Sequence, residues 1–380
     1  MHRQQNSSAP KSVRSACSGI RAATIMVGLA ACIPFALHGR TTRSDEPPPG
    51  ARSELPPSKA PHPTSKPELL RAPFKKSAAQ AAQAAWSRHL GQPATLTNSL
   101  GMKFVLVPPG EFQMGSGESA EATAQFVRAK GRDDFALDDA RAPKFENEHP
   151  QHRVRITEPF YLGQYEVTVR DFRTFLAETN YKDPDEVDGW NWSETRKKGG
   201  EYEQEDEHPV VIVTWNEAKA FCDWLSKKEH ARYRLPTETE WEYACRAGTT
   251  GRYQTGDDPE ALAQVGDVAD SRLKKVGLFN AWAINDGYDG PAPPGRFAPN
   301  PFGLYDMHGN ACEWCGDSYG YGGYDASVVN NPQGPTEDLS RVIRGGSWWA
   351  YPWNCRSASR WWGPPTSRIS GVGFRLARVP

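Results

Sequence analysis

Thiols are the groups in this sequence best suited to chemistry, because sulfur is both a nucleophile and a ligand for soft metal ions. There are seven cysteines. Cys17 and Cys32 lie near the N-terminus, and Cys222, Cys245, Cys312, Cys315 and Cys355 lie in the remainder. Cys312 and Cys315 have the C-x-x-C spacing of redox and zinc motifs. No second pair stands at zinc spacing, however, and no βαβ pattern surrounds them. In an oxidising compartment most of the five would pair, leaving one thiol over. Cys315 or Cys245 bridged to Cys355 is the favoured arrangement, with the connectivity open. A second concentration is aromatic: Trp348, Trp349, Tyr351, Trp353, Trp361 and Trp362, with Arg356, Arg360 and Arg368 close by in sequence. Rigid rings beside arginines suit ligand grooves and interfaces, although about half of such a set belongs in a core. His149, His152, His208, His230 and His308 show no helical ligand spacing and read as structural hydrogen-bonding groups.

The elements that must position these residues are short. Met102–Pro108 reads as a strand ending in a Pro109-Gly110 turn, Phe112–Gly115 as a second strand, and His152–Thr157 alternates as a third. Thr168 caps a helix with Asp171 three residues on, and Thr237 caps another with Glu240 in the same relation. Between them, Asn216–Lys227 is amphipathic, with Ala220, Phe221, Trp224 and Leu225 on one face. Ala120–Glu148 is polar and acidic and reads as a mobile loop, and Lys182–Glu207 as a polar insertion. Beyond Ala247 the chain is mostly loop, and no internal repeat is evident.

The N-terminus carries Arg3, Lys11, Arg14 and Arg21, then an apolar stretch from Ala22 to Leu37 broken by Pro34. That pattern is a secretory signal, too short and interrupted for a comfortable membrane span. Three outcomes stay open. Leu29-Ala30-Ala31-Cys32 resembles a lipoprotein box with Cys32 lipidated; an ordinary signal would be cut near Gly39; or the segment remains as an anchor. All three place the rest outside the cytoplasm, in the periplasm or cell envelope. The expected divisions are a signal segment at 1–39, a Pro/Ala-rich linker at 40–94 that cannot bury a core, and one domain at 95–380. An Ala-rich helix at Lys76–His89 would act as a spacer. The formal net charge of -1 gives no electrostatic case for nucleic acid. With 34 Gly, 32 Pro and 13 Trp, the domain reads as loop-rich and held by aromatic packing.

Seven blocks occur in order: Met102–Gly115; His149–Val154 with Phe160–Thr168; His208–Val211 with Thr214-Trp215; Arg234–Cys245; Asn300–Asn310 with Glu313-Trp314; Gly345–Trp348; and Gly373–Arg375. Together they resemble the formylglycine-generating enzyme, or sulfatase-modifying factor, family. The resemblance implies a single compact α+β domain of low regular secondary structure, related to C-type lectins. It implies oxidation of a sulfatase cysteine to formylglycine, and so a protein or peptide substrate, with Ser357 and Arg360 in a peptide-binding segment beside Trp348 and Trp349. It also implies two structural calcium sites: Asp267, Val268, Asp286 and Tyr288 in one, and Asp306, Gly309, Ala311 and Glu313 in the other. Calcium takes hard oxygens from carboxylates and loop carbonyls, which these segments supply. The family's copper site needs a Cys-x4-Cys pair shortly after Gly-Gly-Ser. Counted without a gap from Gly345-Gly346-Ser347, those positions are Ala350 and Cys355. Anchoring on Gly373-Phe374-Arg375 favours a gap that moves Cys355 off the second position as well. Cys355 is the catalytic candidate, but copper is doubtful unless Cys312 or Cys315 folds in as a substitute ligand.

Overall fold

The structure is a computed structural model that describes residues 65–130, 141–182, 205–269, 285–321, 323–327, 329–336 and 340–380. The signal segment and the first part of the expected linker lie outside the described residues, as does most of the 182–207 insertion. The described residues all fall within one compact unit.

Its α+β framework is three small sheets packed around helices. One sheet orders β1 (Leu70–Arg71), β4 (Gly110–Met114) and β5 (His152–Ile156). The second orders β2 (Thr95–Thr97), β3 (Lys103–Val107), β6 (Phe160–Gly163), β12 (Ala377–Arg378) and β7 (Tyr233–Arg234). The third orders β10 (Trp361–Gly363), β9 (Arg341–Arg344), β8 (Cys312–Ser318) and β11 (Val372–Gly373). The last residues tie two sheets together, because β11 pairs with β8 while β12 runs between β6 and β7.

Two helices start where their threonines predict, and a third proves to have a threonine cap as well. α3 (Val169–Thr179), α4 (Trp215–Glu229) and α5 (Glu238–Arg246) each open on a reciprocal capping box: Thr168 with Asp171, Thr214 with Glu217, Thr237 with Glu240. Phe172, Phe175 and Phe221 from α3 and α4 meet Phe374 in the core, with Phe221 and Phe374 edge-to-face at 5.4 Å.

Two expectations are corrected. The expected linker is shorter than 40–94, since α1 (Lys76–Leu90) belongs to the folded body. Ala79, Gln83 and Trp86 recur at helical spacing and are buried, and Gln83 donates to the carbonyls of Leu106 and Phe302 at 3.0 Å each. The alanine content masked one apolar stripe carrying one large ring. The expected loop at 120–148 contains α2 (Ala120–Lys130) and a 3-10 segment at Ala142–Glu148. Ala120, Ala124 and Val127 form its buried face, too small a stripe to stand out among the charges.

Trp86→Ala should lower stability by about 3–5 kcal/mol, read as a shifted urea midpoint. A loss below about 1 kcal/mol, the cost of an exposed site, would mean that α1 is a spacer after all.

Candidate functional site

The segment after β9 is built on a turn that only glycine permits. Gly345 and Gly346 have φ of +103° and +77°, and a Cβ on Gly346 would lie 2.3 Å from the Cys355 sulfur. The Gly345 carbonyl accepts from the Gly309 amide, and the Trp348 amide donates to the Asn310 carbonyl. Ala350 closes a turn onto the Ser347 carbonyl at 2.8 Å, and its own carbonyl accepts from the Ala269 amide. A 3-10 segment, Pro352–Cys355, then returns the chain to Gly346.

Cys355 is fully buried, and burial pushes its thiol well above the ordinary range. It shares an apolar cluster with Ala350, Tyr351, Trp353 and Tyr253, so the gapless count places 350 and 355 in one neighbourhood. Burial likewise drives Cys245 and Cys312 each up to about 12, and Cys315 well above its usual value. All five cysteines of the domain are free thiols, which corrects the expected pairing. Cys245 and Cys315 pack in one cluster while Cys355 packs in another, and the Cys245 sulfur points to the Met307 carbonyl and the His308 ring.

His308 is not a base for Cys245. Its Nδ1 donates to the Cys355 carbonyl at 2.8 Å and its Nε2 accepts from the Gln254 amide at 3.1 Å, which sets one neutral tautomer. Burial lowers its pKa to about 4.

The arginines near the aromatic residues are already engaged. Arg356 makes a bidentate pair with Glu148, Arg368 with Glu217 and Arg360 with Glu238. Ser357 is fully buried, its amide donating to the Arg252 carbonyl and its carbonyl accepting from Arg344. Ser357 is thus a core residue and Arg360 a paired one. Arg360 lines a cavity of about 380 Å³ with Glu238, Asp317, Tyr324 and His152. Trp348 is buried, Trp349 is half-buried and donates to the Ser370 carbonyl, and Tyr351 stacks on Trp353 at 4.4 Å. Trp361 and Trp362, on edge strand β10, are exposed.

The carboxylates expected in the two calcium sites already hold hydrogen bonds. Asp286 accepts from the Val268 and Tyr288 amides, and the Asp267 carboxylate accepts from the Ala292 amide. In the second place Glu313 is committed elsewhere: Arg375 and the Trp241 indole donate to its two oxygens at 2.7–2.8 Å. Asp306 accepts from the Gly295 amide through one oxygen, while its Oδ1 is buried without a hydrogen-bond partner. Glu166 is in the same condition, one oxygen on Asn310 and Oε2 buried unpartnered. Burial, then mutual repulsion, holds Glu166 well above the carboxylate range, and burial raises Asp306 to about 6. Glu166 escaped the sequence reading, although it stands inside the Phe160–Thr168 block. An isolated Glu between strand and helix cap carries no sign of burial. Among the described residues no cluster of three or more His, Cys, Asp or Glu side chains is poised around one point.

The model of the sulfatase-modifying factor enzyme 1-like domain matches residues 91–380. The chain belongs to the formylglycine-generating enzyme family. It is 30% identical over 311 residues to the formylglycine-generating enzyme of Mus musculus, covering 72% of this chain and 74% of that one. It is 28% identical over 326 residues to the inactive C-alpha-formylglycine-generating enzyme 2 of Bos taurus, covering 76% and 91%. Among solved structures, PvdO from Pseudomonas aeruginosa superposes with a TM-score of 0.57 at 27% identity, over 75% of this chain and 98% of that one. The family motifs thus have physical meanings here. Gly373 lets β11 approach the Val210 carbonyl, where a Cβ would sit 2.2 Å away; Phe374 enters the core; Arg375 clamps Glu313.

Glu238→Gln should cost about 3–5 kcal/mol, because it leaves the buried Arg360 without its counter-charge. Replacing Glu238 and Arg360 together by methionine should cost much less than the single change. Equal losses in the two urea titrations would show that the pair is not an energetic unit.

Proposed function

We propose that this chain is an extracytoplasmic member of the formylglycine-generating enzyme family that keeps the fold for binding a protein or peptide. In this reading it does not oxidise a sulfatase cysteine through the family's Cys-x4-Cys copper pair. The observation that carries the reading is the state of positions 350 and 355. The first is an alanine in a closed turn, and the second is a thiol with no exposed surface, far from ionising at neutral pH. A thiol acts as nucleophile or ligand only as the thiolate. The likeness to a relative named as inactive is in keeping with this. The basic and apolar N-terminal pattern supports export, with a signal or lipid anchor as the sole link to a membrane. Among the described residues no helix is long and apolar enough to cross one.

A binding role for peptide or glycan is favoured by one surface. Tyr321, Trp361 and Trp362 are 61%, 47% and 44% exposed, far more than the other tryptophans of the closing segment. Tyr321 and Trp362 meet edge-on at 5.1 Å beside Tyr319, and Arg360 lies 4.8 Å from the Tyr319 ring. Such rings stack on apolar peptide side chains or sugar faces.

Calcium is proposed as a structural ion. The unpartnered oxygens of Asp306 and Glu166 are the donors that fit it best, with the Gly309 and Ala311 carbonyls as the family's further ligands, while Glu313 is held by Arg375 instead. At the first place Asp267, Asp286 and the carbonyls of Val268 and Tyr288 would hold it.

Two measurements test these proposals. Incubated with copper, oxygen and a Cys-x-Pro-x-Arg peptide, the protein should leave the peptide mass unchanged; the loss that marks an aldehyde would overturn the functional reading. Chelator should lower the melting temperature and added calcium should restore it; identical melting curves would remove the ion from both sites.

A further inference from the structure

The outward face of the β1–β4–β5 sheet gathers arginines that the functional site does not use. Register sets the arrangement: Arg71 on β1 pairs with Glu111 on β4, Glu111 with Arg155 on β5, and Gln113 with Arg153. Alternation puts these five side chains on one face, because Phe112 and Met114 on β4, with Val154 and Ile156 on β5, are buried on the other. Strand spacing confines them to a patch roughly 10 Å across. The charge there is unbalanced. Glu111 is the single carboxylate among the outward residues of the three strands, and Arg155 takes it, with Nε at 2.7 Å and Nη2 at 2.5 Å. That hydrogen bond, aided by the charges of Arg155, Arg71 and Arg153, holds the Glu111 carboxyl below its usual range. Arg71 and Arg153 are exposed and have no hydrogen-bond or ion-pair partner among the described residues. Two unpaired guanidinium groups therefore stand beside a neutralised pair.

The course of the chain identifies what lies opposite. Leu70–Arg71 is the first element of the described body, so Arg71 stands where the chain arrives from the basic and apolar stretch that ends near Leu37. We infer that this face rests on the anionic phospholipid headgroups of the membrane to which the N-terminal segment attaches the protein. The inference rests on reading that segment as a lipidated or retained anchor; the state of Cys355 does not bear on it. Guanidinium groups stay charged and pair with phosphate oxygens through two parallel N–H bonds. Arginine near an anionic bilayer is drawn to it, and the attraction falls off within a Debye length. Three arginines, one of them already engaged, would hold a freely diffusing protein weakly. An attached protein is already confined near the bilayer, so the second contact is intramolecular and needs little affinity of its own. The contact orients the body; the N-terminal segment remains the link that retains it.

The test uses the full chain, attached through its own N-terminal segment to phosphatidylcholine vesicles with or without phosphatidylglycerol. Phenylglyoxal modifies accessible guanidinium groups, and peptide mapping reads each arginine separately. With phosphatidylglycerol present, Arg71 and Arg153 should react several-fold more slowly than on neutral vesicles, and high salt should restore their rates. Arg128, in the last turn of α2, should react alike on both. In the double variant Arg71→Gln, Arg153→Gln, the slowing read at Arg155 should disappear. Membrane-held protein with equal rates on the two vesicle types would overturn the arginine face alone. Equal slowing by inorganic phosphate without vesicles would assign the face to a soluble anion and overturn the lipid. Recovery of the protein wholly in the soluble fraction of cells would overturn the attachment itself, and the inference with it.

Discussion

Helix α5 is the constraint on which the closing segment depends. It is buried along its length and carries Glu238 and Glu242 one turn apart. Glu242 holds Arg246 and the fully buried Arg344; Glu238 holds Arg360. Arg344 also donates through its two Nη groups to the carbonyls of Ser357, Ala358 and Ser359. One helix face therefore fixes both ends of the stretch between β9 and β10, the stretch that contains the Gly-Gly-Ser turn and Cys355. A buried charge left alone is far costlier than a pair, so loss of any member is felt by the others.

A second pair does the same for the chain end. Arg375 bonds Glu313 and the carbonyls of Gly163 and Tyr305, joining β8 to the neighbouring sheet. Buried carboxylates thus fall into two kinds here. Glu238, Glu242 and Glu313 are neutralised by arginine. Glu166 and Asp306 face each other's field, each with one oxygen buried and unpartnered. The sulfurs follow the same logic: buried thiols without a cation beside them stay protonated.

Much of the framework was legible in the chain. The capping boxes at Thr168 and Thr237 state their helices outright, because Thr with Asp or Glu three residues on satisfies amides that nothing else reaches, while the Thr214 box was found only in the structure. The alternation in His152–Ile156 was readable for a similarly local reason. α1 and α2 were not, since their buried stripes are mostly alanine and differ little from solvated helices. Nor was the role of Arg356, Arg360 and Arg368, whose partners Glu148, Glu238 and Glu217 lie more than a hundred residues away.

The sequence by itself determined the family, the fold class and the alanine at position 350, because each is a property of residue type and order. Only the tertiary structure decided that the arginines are core ion pairs, that Glu166 joins Asp306, and that Cys355 is sealed against the Gly-Gly-Ser turn. Those are distances between remote segments, and no local pattern encodes them. A strand turns successive side chains to opposite faces, but which face meets the Gly-Gly-Ser turn depends on how the sheets pack.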